Sequence, residues 1–379
     1  MRVLLVEPDY YTRYPPLGLL KLAAWHRSKG DEVRLVRGIV PGDGADPNLI
    51  YVTSLFTYAW RPVHAAVRHY RAAYPQARVV LGGIYTSLLP QHAATSGAEV
   101  HVGLHPAAES MMPAWDLIPE WDGSVLFASR GCIRKCGFCS VPKLEGPPAD
   151  FKESIASQIW PGHSRVVLWD NNLLGNWNWK AVLEELIRID KEVDFNQGLD
   201  ARLVTDEVAA LLCQVRTKTI RLAYDYPGIR AGVKRGIERL VAAGVSPKKI
   251  VVYTLYNYIE TPDQLLRKVR DLLDWGVTSY PMRFEPLTSL TKNAYVSPRW
   301  TRQQLDNLAK ARRVLGYAGA FPPYKGLIRK LHRAKTFDKA FCLRTAYRPH
   351  HTDSSGHLAK STTRFGGVRD WRQEAQVPC

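Results

Sequence analysis

Cysteine is scarce in this chain: six among 379 residues, too few for a disulfide scaffold in so long a sequence. Long apolar runs are missing too. The opening "MRVLLVEPDYY" breaks at Glu7 and reads as neither a secretory signal nor a membrane span, which predicts a cytoplasmic protein. Acidic residues are outnumbered, 35 against 52 Lys and Arg, for a formal charge of +17. Such an excess attracts polyanions or anionic substrates. From Tyr324 onward there are twelve Lys or Arg and four acids, a net +8, which makes this tail a candidate nucleic-acid contact. Internal repeats of solenoid type are also absent.

What is present is alternation. "VLLVEP", "EVRLVRG", "NLIYVTSL", "ARVVLGG" and "AEVHVG" read as strands, separated by the helical patterns "PLGLLKLAAWHRSKG", "PVHAAVRHYRAAYP" and "LLPQHAATSG". This predicts a Rossmann-like, doubly wound parallel sheet over 1–110, with its crevice near Glu7 to Tyr11, Thr53 to Thr57 and Gly82 to Thr86. "GIVPGDGADPN" leaves no room for a helix between the second and third strands. A Pro-containing linker, 111–123, leads to "SVLFASRG", "RVVLWDN", "DFNQG", "TIRLAYD", "KIVVYTLYN" and "SYPMRFEPL", each followed by a helical pattern. Six such units predict a partial (β/α)6 TIM-type barrel over 124–320, with chemistry at the strand carboxyl ends. A basic extension, 321–379, follows; its polar, Gly- and Ser-rich end reads as flexible. The fold class is therefore α/β throughout.

Half of the cysteines, Cys132, Cys136 and Cys139, sit in "SRGCIRKCGFCSVPK", directly after the first barrel strand. Three thiolates in one short loop can wrap a small inorganic centre. Structural zinc takes four protein ligands, so a zinc site needs a further residue such as His163 or Cys213. A four-iron cluster on three thiolates leaves one iron open to a chelating molecule.

The C-x-x-x-C-x-x-C spacing, with Phe138 before the third cysteine and a six-unit β/α block behind it, resembles the radical S-adenosylmethionine superfamily over roughly Ser124 to Leu315. The resemblance implies a [4Fe-4S] cluster on Cys132, Cys136 and Cys139, S-adenosyl-L-methionine on its open iron, and a 5′-deoxyadenosyl radical that activates a C–H bond of an unknown substrate. It also implies an electron donor such as flavodoxin or ferredoxin. Cofactor contacts carry over to Phe138, to Asp170, Asn171 and Asn172 in "WDNN", to Gln197 and Arg202 in "FNQGLDAR", to Asp225 and to Asn257. The family's Gly-Gly-Glu type sequence does not stand at "WDNN".

The front block, "PPLGLLKLAAWHRSKGDEVRLV" with "LGGIYTSLLPQHAATSGAEVHVG", is similar to the cobalamin-binding domain that precedes many of these radical modules. It implies cobalamin as a further cofactor and methyl transfer as the outcome. The Asp-x-His-x-x-Gly motif that supplies a lower axial ligand is absent. Two other readings stay open: an RNA- or peptide-modifying radical enzyme without cobalamin, and a noncatalytic zinc-binding interaction protein.

Overall fold

A computed structural model describes residues 1–42 and 45–343. Five parallel strands open the chain: β1 (Arg2–Glu7), β2 (Glu32–Arg37), β3 (Leu49–Ser54), β4 (Arg78–Gly83) and the short edge strand β5 (Glu99–Val100), side by side in the order β2-β1-β3-β4-β5. Helix α1 (Leu17–Arg27) covers one face and α2 (Trp60–Ala73) the other, with α3 (Ile84–Leu88) and α4 (Pro90–Ala94) between β4 and β5. Alternate residues of one strand point to opposite faces. Leu4 and Val6 accordingly pack with Val63, Val67 and Tyr70 of α2, whereas Val3 and Leu5 pack with Leu19 and Ala23 of α1. Burial on both faces explains the unbroken apolar run of β1. As the sequence predicts, β2 passes to β3 with no helix among the described residues.

After α5 (Pro106–Glu109), Trp115 and Ile118 join Leu17 and Leu20 of α1 to Val125 and Val167 of the next sheet in one buried cluster. The second half alternates β6 (Ser124–Leu126), α6 (Val141–Leu144), β7 (Arg165–Leu168), α7 (Trp179–Ile189), β8 (Glu192–Phe195), α8 (Asp206–Gln214) and β9 (Ile220–Ala223). It continues with α9 (Arg230–Ala242), β10 (Ile250–Tyr256), α10 (Pro262–Asp274), β11 (Thr278–Arg283) and α11 (Arg302–Val314). Every pairing is parallel and between sequence neighbours, β6-β7-β8 and β9-β10-β11. A parallel bridge between Leu199 and Leu222 joins the two triplets, giving a partial-barrel topology. Helix starts follow local chemistry. Thr261 and Thr301 each form a capping box with the Gln three residues on, and Pro262 occupies the first turn of α10.

The apolar pattern looks spent after Tyr324, but two short helices stand there: α12 (Lys325–Arg333) and α13 (Phe337–Phe341). Leu327, Leu331, Phe337 and Phe341 enter the cluster built by Leu265 and Val269 of α10 and Leu305 and Leu308 of α11. The expected flexible end, 344–379, lies outside the described residues. No helix among the described residues is long and apolar enough to cross a membrane.

Candidate binding cleft between the two parallel sheets

The carboxyl ends of β1, β3 and β4 face those of β6, β7 and β8 across a cavity of about 460 Å3. The front wall is the crevice expected from the doubly wound pattern: Glu7 and Tyr10, Thr53 to Phe56, and Gly83 with Ile84. Gly83 is required there. Its φ is +104°, and a Cβ on it would meet the Ser54 carbonyl oxygen at 2.2 Å. The back wall carries Phe127, Arg130, Glu145, Trp169, Asn171, Asn196 and Gln197. Aromatic rings supply much of the surface; Tyr10 meets Phe56 edge-on, and Tyr14 meets Trp169 edge-on at 5.4 Å between centroids.

Most charges in the cleft are already answered. Lys21 of α1 reaches Glu109 at 3.2 Å, Glu109 pairs with Arg130, and Arg130 reaches Glu145 at 3.4 Å. Glu145 also accepts from the Gly131 amide at 2.9 Å and from Asn171 Nδ2 at 3.0 Å. This chain of alternating charge runs from the first sheet to the second. Burial raises Glu109, but Arg130 and Lys21 outweigh it together and hold the carboxyl below its ordinary range. At the bottom of the cleft Glu7 is buried, which raises its carboxyl, against Arg37 at 2.8 Å, which lowers it; the net direction is up. Tyr14 spans the halves by another route: its hydroxyl accepts from Asn196 Nδ2 and donates to Asp194 at 3.4 Å.

Residues nominated from sequence fall into three groups. Asn171 and Gln197 line the cleft. Asp170, Asn257 and Arg202 are engaged within the protein. Asp170 accepts from the Ala128 amide at 2.9 Å and the Ser129 hydroxyl at 2.6 Å, and burial pushes its carboxyl up to about 6. Asn257, at φ +64°, donates to Phe284 and Tyr295 carbonyls and accepts from the Ser297 amide. Arg202 forks onto Asp200 at 2.7 and 2.8 Å. The third group surrounds the cysteine loop: Asn172 Nδ2 lies 3.6 Å from Cys132 Sγ, Phe138 meets Tyr258 edge-on, and Asp225, pushed up to about 6 by burial, acts electrostatically on Cys136 and Cys139. Sequence reasoning missed Tyr14, Lys21, Glu109, Arg130 and Glu145, whose partners are far away along the chain.

The cluster chemistry expected from the cysteine spacing is overturned. Among the described residues no group of three or more His, Cys, Asp or Glu side chains is placed to hold a metal ion. Cys132, Cys136 and Cys139 therefore do not form a seat for a [4Fe-4S] cluster, and the same finding removes a zinc site completed by His163 or Cys213. Burial foremost raises the Cys136 and Cys139 thiols, with smaller raising contributions from Asp225 and the neighbouring cysteines. S-adenosylmethionine held on an open iron, the deoxyadenosyl radical, and the methyltransferase or oxidoreductase reading fall with the cluster. Cobalamin loses its support on the same ground; the front sheet keeps the α/β architecture without that ligand.

Comparison with known proteins supplies no family in its place. No protein-family model matches the chain, and no curated protein matches it. The radical S-adenosylmethionine resemblance therefore gains nothing beyond its cysteine spacing. A solved galactofuranose binding protein aligns over 90% of this chain and 100% of its own, at 10% identity and a TM-score of 0.17. A likeness at that level carries no argument about fold or ligand.

Proposed function

We propose that this protein binds one small organic molecule in the cleft between its two parallel sheets, and that the molecule is uncharged, with an aromatic or otherwise apolar body and hydrogen-bonding groups on its edge. The observation that carries this reading is the cavity of about 460 Å3 at the carboxyl ends of both sheets, walled by Tyr10, Phe56, Phe127 and Trp169. Cavities of this size and lining, at strand ends where two bodies meet, are where small ligands bind in open α/β proteins. Neutrality follows from the ion pairs, because Lys21, Glu109, Arg130 and Glu145 already satisfy one another. Asn171 and Gln197 supply the amides that would orient the ligand edge. In this reading residues 1–110 and 124–320 are the two halves, 111–123 is their hinge, and 321–379 is an extension. The five described cysteines are all free, which supports a reducing, cytoplasmic setting.

Saturation-transfer NMR with indole-3-acetamide, and indole-3-acetate as its anionic counterpart, tests the reading. At about −0.3 kcal/mol per non-hydrogen atom, a probe of roughly 13 such atoms binds near 1 mM. Transfer is expected for the amide, weaker for the acetate, and lost in Ser140→Trp, which fills the cavity from the residue just before α6. Equal transfer to both probes, or transfer that survives the filled cavity in folded protein, overturns the proposal.

A further inference from the structure

We infer that the outer face of α12 and α13 is a docking surface for single-stranded nucleic acid, gripped through its phosphates. Residues 325–339 hold six cations, Lys325, Arg329, Lys330, Arg333, Lys335 and Lys339, and a single acid, Asp338. The inner face is committed: Leu327 and Leu331 are buried, and Arg270 of α10 donates to the Leu331 carbonyl at 2.6 Å, fixing the end of α12. The outer face has no comparable commitment. Lys325, Arg329, Arg333, Lys335 and Lys339 are exposed, and none forms an ion pair among the described residues. Several exposed cations elsewhere do have acidic partners, as in Arg78 with Glu99, Lys180 with Glu207 and Lys218 with Glu192. The nearby acids are engaged: Asp274 by His332 at 2.7 Å, and Asp263 by the Phe337 amide at 2.6 Å.

Lys325, Arg329 and Arg333 stand four residues apart, so they form one ridge with about 6 Å between successive positions. Like charges at this spacing repel each other. A polyanion relieves that repulsion and releases its own counterions. Two features choose the partner. An anionic membrane holds a basic helix most firmly when an apolar face inserts as well, and the apolar face of α12 is inside the protein. Tyr324, 54% exposed at the start of α12 beside Lys325, offers a ring on which an unpaired base stacks.

Fluorescence anisotropy of a labelled uridine 20-mer with the full chain tests this. Log affinity is expected to fall with log salt at a slope between about −2 and −4, for three to six phosphate contacts. The triple variant Lys325→Glu, Arg329→Glu, Arg333→Glu should bind at least ~10-fold more weakly with a shallower slope. A control of equal charge change, Arg235→Glu, Lys248→Glu, Lys249→Glu, should stay within about threefold, and the same sites changed to Gln serve if either triple fails to fold. Tyr324→Ala should weaken the RNA complex several-fold and leave dextran sulfate binding unchanged. Equal loss in the control triple overturns the inference. So does binding unaffected by the ridge triple but abolished when Arg344, Arg348, Lys360, Arg364, Arg369 and Arg372 become Gln. Capture by phosphatidylglycerol vesicles with the same sensitivity to the ridge triple would assign the face to membranes instead.

Discussion

The two halves of the second sheet handle a buried carboxyl group in opposite ways. After β7, Asp170 rests both oxygens on neutral donors, the Ala128 amide and the Ser129 hydroxyl. After β10, Glu260 meets an ammonium, Lys268 Nζ at 2.7 Å, with the two side chains 3% and 1% exposed. Lys268 also donates to the Leu255 and Asp225 carbonyls at 2.7 and 2.9 Å. Burial raises both carboxyls, Asp170 to about 6 and Glu260 to about 7. The shared direction conceals a difference in dependence. Neutral donors hold a carboxyl in either protonation state, whereas a buried pair needs both members, because removing one strands the other's charge.

Breaking the pair should therefore produce the largest effect. Lys268→Met is expected to cost about 3–5 kcal/mol in urea unfolding at pH 8, where Glu260 must either stay ionised in the interior or take up a proton that the unfolded chain does not hold. At pH 5 Glu260 takes up a proton without its partner, so most of that cost should vanish. Lys268→Met with Glu260→Gln should cost much less than Lys268→Met alone at pH 8, since no charge remains to be stranded. A cost identical at both pH values would mean that packing around Lys268, not charge, holds the turn between β10 and α10.

Asp170 sharpens the contrast at smaller amplitude. Its folded pKa of about 6 lies above the ordinary carboxylate value near 4, so between these the folded state binds the proton more tightly than the unfolded state. The group's contribution to stability is full below pH 4 and is lost as the pH rises through 6. The rise from near 4 to about 6 corresponds to ~3 kcal/mol at most. Asp170→Asn should cost about 1–2 kcal/mol at pH 7, since the hydroxyl of Ser129 can turn to accept from an amide. The difference between wild type and variant should grow as the pH falls from 7 to 4. A difference that shrinks instead would reverse the assigned shift.

How much of this could be read from the sequence depended on the range of the contacts. The strands were legible because a parallel strand buried on both faces needs a run such as "VLLVE", and the start of α10 because Thr261, Pro262 and Gln264 act within one turn. The front wall of the cleft followed from alternation alone. The back wall did not: Tyr14 meets Asn196 across 182 positions and Lys21 meets Glu109 across 88, and no local pattern encodes either. The polar residues of "WDNN" were visible, but not that Asp170, after β7, turns inward to the loop that follows β6. α12 and α13 escaped because nine and five residues carry too few apolar positions to establish a period. The cysteine spacing misled for a related reason: proximity along a loop does not make side chains converge on one metal.

Contacts between the halves should be weaker than those within one. Tyr14 is the test, since its hydroxyl, pushed up to about 12 by burial and by Asp194, stays protonated and donating through the neutral range. Tyr14→Phe removes the acceptor of Asn196 Nδ2, while Asp194 keeps Arg221. The ring still packs edge-on between Trp121 and Trp169, so the loss should be only about 1 kcal/mol. Asn196→Ala in the Tyr14→Phe background should add less than it does alone, because the bond is already gone. If the two losses simply add, the hydroxyl does not couple the halves, and the cleft must be held closed by the ion-pair chain from Lys21 to Glu145.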